Sequence, residues 1–362
     1  MNEEEATKYA DIKPDGSILL GRHTVCDGAN YGRKIGVFTH IHRDHTKLFD
    51  KAMHGCSAIF VTPPTLDMLA AMDQDPPTVS AECYFGGRHI HALDYGSPKR
   101  PKLDEFSQTS GYGDSITLYQ SHHILGSCQV LVETDGLRIA YTGDFGRDAK
   151  PIKCDILVMD STHGHPMFGA QADPENLGRR LAEDVDEEIQ KSKRIIIRAH
   201  RGRLQEAMHL LGRQLPDEVR FLAHPTDIRL VPTYRKYGMG IRDCISYESE
   251  DGRDTQEGGS PYVEFRAHGS RKGFLEEDQE KTAVFNLGGT YLGRYTTLRK
   301  NGSYNLEFMD HADYGSIIDY VKKAEPQYVV TDYVRGRRGE NLAEAIRETG
   351  IGAVARPMDA AG

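Results

Sequence analysis

The heptapeptide Thr39 to His45, "THIHRDH", places three imidazoles and a carboxylate in one short stretch directly after the apolar run "IGVF". Sixteen histidines in 362 residues would give roughly 0.03 triplets of this spacing by chance, and requiring the aspartate lowers that about tenfold. On a turn after a buried strand, His40 and His42 would point one way, with Asp44 and His45 serving an adjacent position. Imidazole nitrogen and carboxylate oxygen are the donors that Zn²⁺ and related ions prefer. A solvated polar turn is the bland alternative, and the spacing weighs against it.

One motif cannot fill two coordination spheres, and further donors follow along the chain. "SHHILGS" supplies His122 and His123 at a strand end, "YTGDF" supplies Asp144, "VMDST" supplies Asp160, and "FMDHADYGS" supplies His311. Each alone reads as an ordinary turn or helix-capping residue. Together they put titratable groups wherever an apolar run stops, and strand ends sharing a rim are where a site gathers its residues.

The elements that must position these groups are short. Strands are expected at 17–21, 34–40, 57–62, 115–123, 128–145 and 154–162, with a proline-opened helix in "PPTLDMLAAM". "ETDGLR" carries the Asp-Gly signature of a tight hairpin. Near 165 the pattern changes to a charged helix (173–192), the strand "RIIIRA", the helix "GRLQEAMHLLGRQL" and the strand "VRFLA", a βαβ alternation that fits a parallel sheet. The polar, glycine-rich 247–261 reads as an exposed loop. From about 281 short strands return, and two helices close the sequence. The fold class is therefore α/β, with a first domain formed by 1–164 and 281–362 and an insertion at 165–280.

At 38% hydrophobic residues the chain can bury a substantial core. No run of eighteen apolar residues exists, so no transmembrane helix is expected, and the acidic start lacks the features of a signal peptide. Six scattered cysteines without a CxxC pair read as reduced thiols in a cytoplasmic protein. Net charge is −9, which taken alone argues against a nucleic-acid partner. Basic clusters at 97–102, 198–203, 269–273 and 333–339 interrupt that average, and are otherwise read as solvated loops.

With these residues on the page, a family resemblance becomes specific. "THIHRDH" resembles the HxHxDH signature of the metallo-β-lactamase fold. "HILGS", "YTGDF", "DST" and "DHAD", in that order, resemble the β-CASP nuclease branch, as do "TPPT" (62–65) and "GRLQEAM" (202–208). The resemblance implies an αββα sandwich with two Zn²⁺ (or Mn²⁺) ions and an inserted β-CASP domain. It implies that His40, His42 and His123 hold one ion, Asp44 and His45 the other, and Asp144 both. Asp27 in "VCDG" would support the histidine turn, and Asp160 with His311 would deliver a proton to the leaving group, His311 being a metal ligand in some relatives.

One position departs from the family. Many relatives carry a late histidine on the second metal, whereas this chain reads "YVVTDYVRGRRG" with Asp332 or Tyr333 there. Either Asp332 ligates through oxygen or the second ion is weakly held. The missing histidine and the aspartate at 160 resemble the Artemis-like DNA-repair members more than the RNA-processing ones.

The expected function is hydrolysis of phosphodiesters in single-stranded DNA or RNA, with a lean to DNA and to 5′ exonuclease action. Lysine, arginine and backbone amides suit phosphate contact, so Arg198, Arg201, Arg203, Ser270, Arg271 and Lys272 are candidate substrate contacts. His163 and His165, just after "DST", are close enough to line the cleft. A small-molecule metallo-hydrolase of lactonase or thioesterase type and a non-catalytic partner are the competing classes. The long insertion disfavours the first, and the intact ligand set the second. Oligomeric state is not legible.

Overall fold

Along the middle strands of the chain, Leu131, Ala140, Leu157 and Met159 face one way, and Val130, Val132, Ile139, Ile156 and Val158 the other. Both sets are buried, in two different cores. A strand puts successive side chains on opposite faces, so a strand apolar on both must lie inside a layered structure. The computed structural model describes residues 1–29, 31–73, 89–102, 113–169, 174–191, 194–268, 281–288, 303–308 and 310–357. It divides into two units, Met1–Ala70 with Val79–Ala170 and His311–Gly362, and Ala71–Thr78 with Gln171–Asp310.

The first unit opens with helix α1 (Glu3–Tyr9), followed by β1 (Ala10–Ile12), β2 (Ile18–Leu20), β3 (Thr24–Cys26) and β4 (Ile35–Val37). The short helix α2 (Arg43–Thr46), α3 (Phe49–Gly55), β5 (Ala58–Val61), α4 (Pro63–Asp73) and β6 (Ile90–Ala92) come next. The six strands form one sheet in sequence order. β7 (Ser115–Gln120), β8 (Cys128–Thr134), β9 (Leu137–Tyr141) and β10 (Ile156–Met159) begin a second sheet. The hairpin joining β8 to β9 turns at Asp135 (φ 52°) and Gly136 (φ 78°), the doubly left-handed turn that Asp-Gly favours.

In the second unit, α5 (Pro174–Gln190) leads to β11 (Arg194–Ala199), α6 (Arg203–Gln214), β12 (Arg220–Ala223), α7 (Pro225–Lys236) and β13 (Cys244–Ser246). Then come α8 (Glu250–Glu257), β14 (Tyr262–Ala267), β15 (Thr282–Gly288) and β16 (Ser303–Glu307). All its strand pairs are parallel, in the order β13-β12-β14-β11-β15-β16. The chain returns to the first unit with α9 (Tyr314–Ala324), β17 (Tyr328–Asp332), α10 (Gly339–Glu348) and β18 (Gly352–Arg356). β17 docks beside β10, giving the second sheet the order β18-β17-β10-β9-β8-β7.

Three cores stack in the first unit. Ile12, Leu20, Val37 and Phe60 of the first sheet share a core with Ile116, Val130, Val158 and Val330 of the second. Outside the second sheet, Leu157, Met159 and Val329 pack with Ile317 and Val321 of α9 and Leu342 and Ile346 of α10. Outside the first, Val25, Ile59 and Val61 pack with Ala52 of α3 and Leu66 and Ala70 of α4. The layers run helix, sheet, sheet, helix, consistent with a metallo-β-lactamase-like sandwich.

Two expectations need correction. β15 and β16, expected in the first domain, hydrogen-bond into the parallel sheet of the second unit, so the boundary falls at 310 rather than 280. The expected loop at 247–261 holds α8, whose Ser249 cap accepts from the Gly252 N–H (3.1 Å). Gly252 sits so close to the Ser246 carbonyl that an added Cβ would lie 2.1 Å from it. Among the described residues five cysteines stand outside any disulfide, and no helix is long and apolar enough to cross a membrane.

Candidate metal centre

β3 and β4 run parallel with Cys26 opposite Val37, so the residues that follow them, Asp27 and Phe38 to His40, emerge side by side. Phe38 stays in the outer core, and the chain then turns polar. Asp27 is buried with φ 48°, a left-handed conformation that aspartate tolerates better than most residues. Its carboxylate accepts from the Thr39 N–H and Oγ1 (2.8 Å each), from His45 Nδ1 (2.8 Å) and from the Tyr141 hydroxyl (3.1 Å). An ionised carboxylate only accepts, so the proton of neutral His45 belongs on Nδ1. That leaves the lone pair on Nε2, the atom aimed into the site.

The other groups arrive on strand ends. His42 caps α2, which carries Asp44 and His45. His123 lies in the turn between β7 and β8, where Ser127 Oγ accepts from the His123 and Ile124 N–H groups (3.2 and 3.1 Å). The carbonyl of Gly126 in that turn accepts from Thr62 and Thr65 Oγ1 (2.6 and 2.9 Å), which is how "TPPT" fixes "HILGS". Asp144 follows Gly143, whose φ is 54° and on which an added Cβ would lie 2.7 Å from the Cys128 carbonyl oxygen, so no other residue fits there without a shift. Asp160 ends β10 and accepts from the Thr162 N–H and Oγ1 through Oδ1 (2.8 and 2.7 Å). Its Oδ2 meets His311 Nδ1 at 2.7 Å.

One oxygen organises the centre. Asp144 Oδ2 lies 3.2 Å from His45 Nε2, 3.6 Å from His40 Nε2, 3.7 Å from His123 Nε2 and 3.9 Å from His311 Nε2. Asp44 Oδ2 lies 3.6 Å from His45 Nε2, with its side chain 58% exposed. His40, His42, His123 and Asp144 each present a donor atom within 4.8 Å of the others, as do Asp144, Asp160 and His311.

These residues fit a divalent cation. Buried polar atoms are nearly always hydrogen-bonded, yet among the described residues His40 Nε2 and His45 Nε2 are buried with no well-formed hydrogen bond, only the Asp144 carboxylate being near. His42 Nδ1 and His123 Nε2 face each other at 3.1 Å, and two neutral imidazoles can share only one proton there. Lone pairs converging on a carboxylate are the donor set of a zinc-type site.

The charges divide the histidines of the cluster. Burial would raise the Asp144 carboxyl, but the charges of His45 and His311 hold it well below the usual range. Burial likewise opposes ionisation of Asp160, and His311 nevertheless keeps its pKa low. His40 is driven well below the ordinary histidine value, first by burial and then by its histidine neighbours. His45 goes the other way, to about 10: burial lowers it most of any single cause, but Asp144 and Asp27 together raise it by more. His45 meets Asp27 at 2.8 Å and Asp144 at 3.2 Å, whereas His40 meets Asp144 at 3.6 Å, and this separates the two rings.

His40, His42, Asp44, His45, His123, Asp144, Asp160, His311 and Asp27 thus all lie in one cluster or directly behind it. Asp332 is engaged elsewhere, with Arg335 Nη1 on its Oδ2 at 2.8 Å. His163 is buried, stacks on Phe168 (4.5 Å between centroids) and contacts the Ala312 carbonyl through Nδ1 (3.1 Å). In the second unit Arg201 pairs with Asp227 (2.8 Å), Arg203 pairs with Glu206, and Arg198 is half-buried on β11. Ser270, Arg271 and Lys272 lie outside the described residues. Thr39 and Tyr141 gave no signal in the sequence, since their shared partner Asp27 lies 12 and 114 positions away; Arg335 fell in the basic 333–339 cluster, which gave no sign of its pairing with Asp332.

Comparison with known proteins adds lineage. No family model matches the chain. Over 237 residues, 58% of the chain, it is 28% identical to an endoribonuclease, YSH1, of Mycosarcoma maydis, covering 25% of that protein. The chain is a distant homologue of β-CASP/metallo-β-lactamase nucleases. A probable DNA ligase of Opitutus terrae is 25% identical over 353 residues, 94% of this chain and 30% of that protein. The chain thus spans between a quarter and a third of the length of these two relatives. A crystal structure of a protein of unknown function from Enterococcus faecalis V583 superposes with TM-score 0.55 at 15% identity, covering 89% of this chain and 79% of that one. That likeness concerns the fold alone.

Proposed function

We propose that the chain is a metal-dependent nuclease that hydrolyses phosphodiester bonds of single-stranded DNA, trimming from a 5′ end, with its second unit in the role of the β-CASP insertion. The observation that carries this reading is the convergence on Asp144 Oδ2 of four imidazoles, one of them, His311, backed by Asp160. His40, His42, His123 and Asp144 would hold one Zn²⁺ or Mn²⁺ ion, and Asp44, His45 and Asp144 a second. Such ions, when bound, lower the pKa of water towards ~7 and offset the negative charge of the phosphodiester.

The chain's own groups supply the rest. Asp27 holds His45 in its donor tautomer. Asp160, ionised, accepts from His311 Nδ1 and so favours the imidazolium, whose Nε2 proton faces the cluster and is available to the leaving oxygen. Arg198, Arg201 and Arg203, with the "GSRKG" segment, are the proposed phosphate contacts of the second unit. The lean to DNA rests on the ligase homologue, which aligns over nearly the whole chain, and on the aspartate at 160. Similarity to an endoribonuclease favours RNA cleavage as the second reading.

Purified protein supplied with Zn²⁺ or Mn²⁺ and end-labelled DNA and RNA strands of matching sequence separates these. The proposal expects single nucleotides or short products from the 5′ end of DNA, with RNA cut more slowly. Internal cuts in RNA alone would favour the second reading. No cleavage of either, together with turnover of a lactone or thioester, would overturn both.

A further inference from the structure

At the tip of β17 the carboxylate of Asp332 stands at the same rim as the centre. The parallel register pairs Met159 with Thr331, which sets Asp332 level with Asp160. Asp332 is nevertheless saturated. Oδ1 accepts from the Val334 and Arg335 N–H groups (2.7 and 3.2 Å), and Oδ2 accepts from Arg335 Nη1 (2.8 Å). Arg335 is itself buried, its side chain 6% exposed. Its Nη2 donates to the Gly16 carbonyl (2.8 Å) in the β1–β2 turn. A second cation approaches the same turn: a Cβ on Gly16 would lie 3.2 Å from Arg335 Nη2 and 3.4 Å from Lys47 Nζ. Lys47 directly follows α2, the helix that carries Asp44 and His45.

Arg335 and Lys47 thus set two positive charges at the turn behind α2. The first cation position has three imidazoles and Asp144 within mutual reach. The second keeps His45, the exposed Asp44, and an oxygen of Asp144 that it must share.

We infer that Arg335 is a positioning residue that withholds Asp332 from coordination and places a fixed positive charge beside the second cation position, so that this chain binds one ion tightly and a second only weakly. The inference rests on the metal-centre reading above and goes beyond it in ranking the two positions. A lost anionic ligand and a nearby like charge each weaken cation binding by about tenfold or more, so the two affinities should differ by about 100-fold.

The test is titration of the chelator-stripped full chain with Mn²⁺ alone, counting bound ions by electron paramagnetic resonance. Wild type should take up one ion, with the second binding about 100-fold more weakly. Arg335→Met frees Asp332 and removes the charge, and should narrow that ratio by about tenfold or more. Arg335→Lys, which keeps the charge, should leave a wide ratio. Two ions of equal affinity in wild type would overturn the inference while leaving the metal centre standing, and so would an unchanged ratio in a folded Arg335→Met. No bound ion at all would sink the metal-centre reading itself. Should Arg335→Met fail to fold, the wild-type ratio decides alone.

Discussion

Asp27 offers the sharpest test of how the centre is built, because one buried carboxylate serves four donors. Replacing it with alanine leaves the Thr39 N–H, the Thr39 and Tyr141 hydroxyls and His45 Nδ1 without their shared acceptor, in a place without solvent. Removing one partner of a buried charged network costs about 3–5 kcal/mol, and holding alanine at φ 48° adds about 1 kcal/mol. That is a large share of a domain stability of about 5–15 kcal/mol. Asp27→Asn separates folding from coordination. Asparagine tolerates the left-handed backbone, and the two hydroxyls can turn to accept from its amide. His45 can accept at Nδ1 only by moving its proton to Nε2, where it blocks coordination. The asparagine variant should therefore fold, losing about 1–2 kcal/mol, yet bind metal about 10–100-fold more weakly. Urea unfolding followed by circular dichroism and zinc content after dialysis against chelator give the two numbers. An alanine variant within about 1 kcal/mol of wild type, or an asparagine variant with unaltered metal affinity, would refute this account.

Three further outcomes follow from the geometry. His311→Ala should lower turnover by about 10²–10⁴-fold while metal content, measured by mass spectrometry of the ions, stays near wild type; equal loss of both would make His311 a ligand. Gly143→Ala drives a Cβ against the Cys128 carbonyl at positive φ, so it should destabilise the first unit by about 1–3 kcal/mol and lower metal retention by displacing Asp144; unchanged zinc affinity would contradict that. In the second unit, burial would raise the Glu264 carboxyl, but Arg266 and then Arg194 pull it below the ordinary value. A depressed carboxyl stabilises fully above its unfolded pKa of about 4.5, and that contribution fades as pH falls through the folded value. The urea-midpoint gap between wild type and Glu264→Gln should therefore be widest near neutrality and shrink in acid; a gap independent of pH would argue against it.

What could be read from the sequence depended on how local each constraint is. "THIHRDH" announces itself because its donors sit within seven residues, and the Asp135-Gly136 hairpin because the turn chemistry is confined to two. The inner and outer faces of β8 to β10 follow from alternation. Asp27 was legible only through family resemblance, since nothing nearby says that Tyr141 and His45 will meet it. The pairing of Asp332 with Arg335 is three residues long but depends on Gly16, 319 positions away, and a coordinating carboxylate looks the same in sequence as a saturated one. β15 and β16 were placed in the wrong sheet because apolar strands carry no label for their neighbour. α8 was missed because its sequence, EDGRDTQE, has no apolar side chain, and the residues it buries are a glycine and a threonine.

The place of β10 in its sheet gives the centre a schedule. β10 ends at residue 159 and pairs on one side with β9, whereas its other partner, β17, begins at residue 328. During synthesis its free side waits for nearly half the chain to be made, an unpaired edge of the kind that invites misassembly. Asp160 stands at the tip of that waiting strand, and His311 arrives just ahead of the strand that closes it. A ribosome-bound chain would therefore hold its histidine turn long before His311 arrived beside Asp160, so the donor cluster is completed only after the whole second unit has been made.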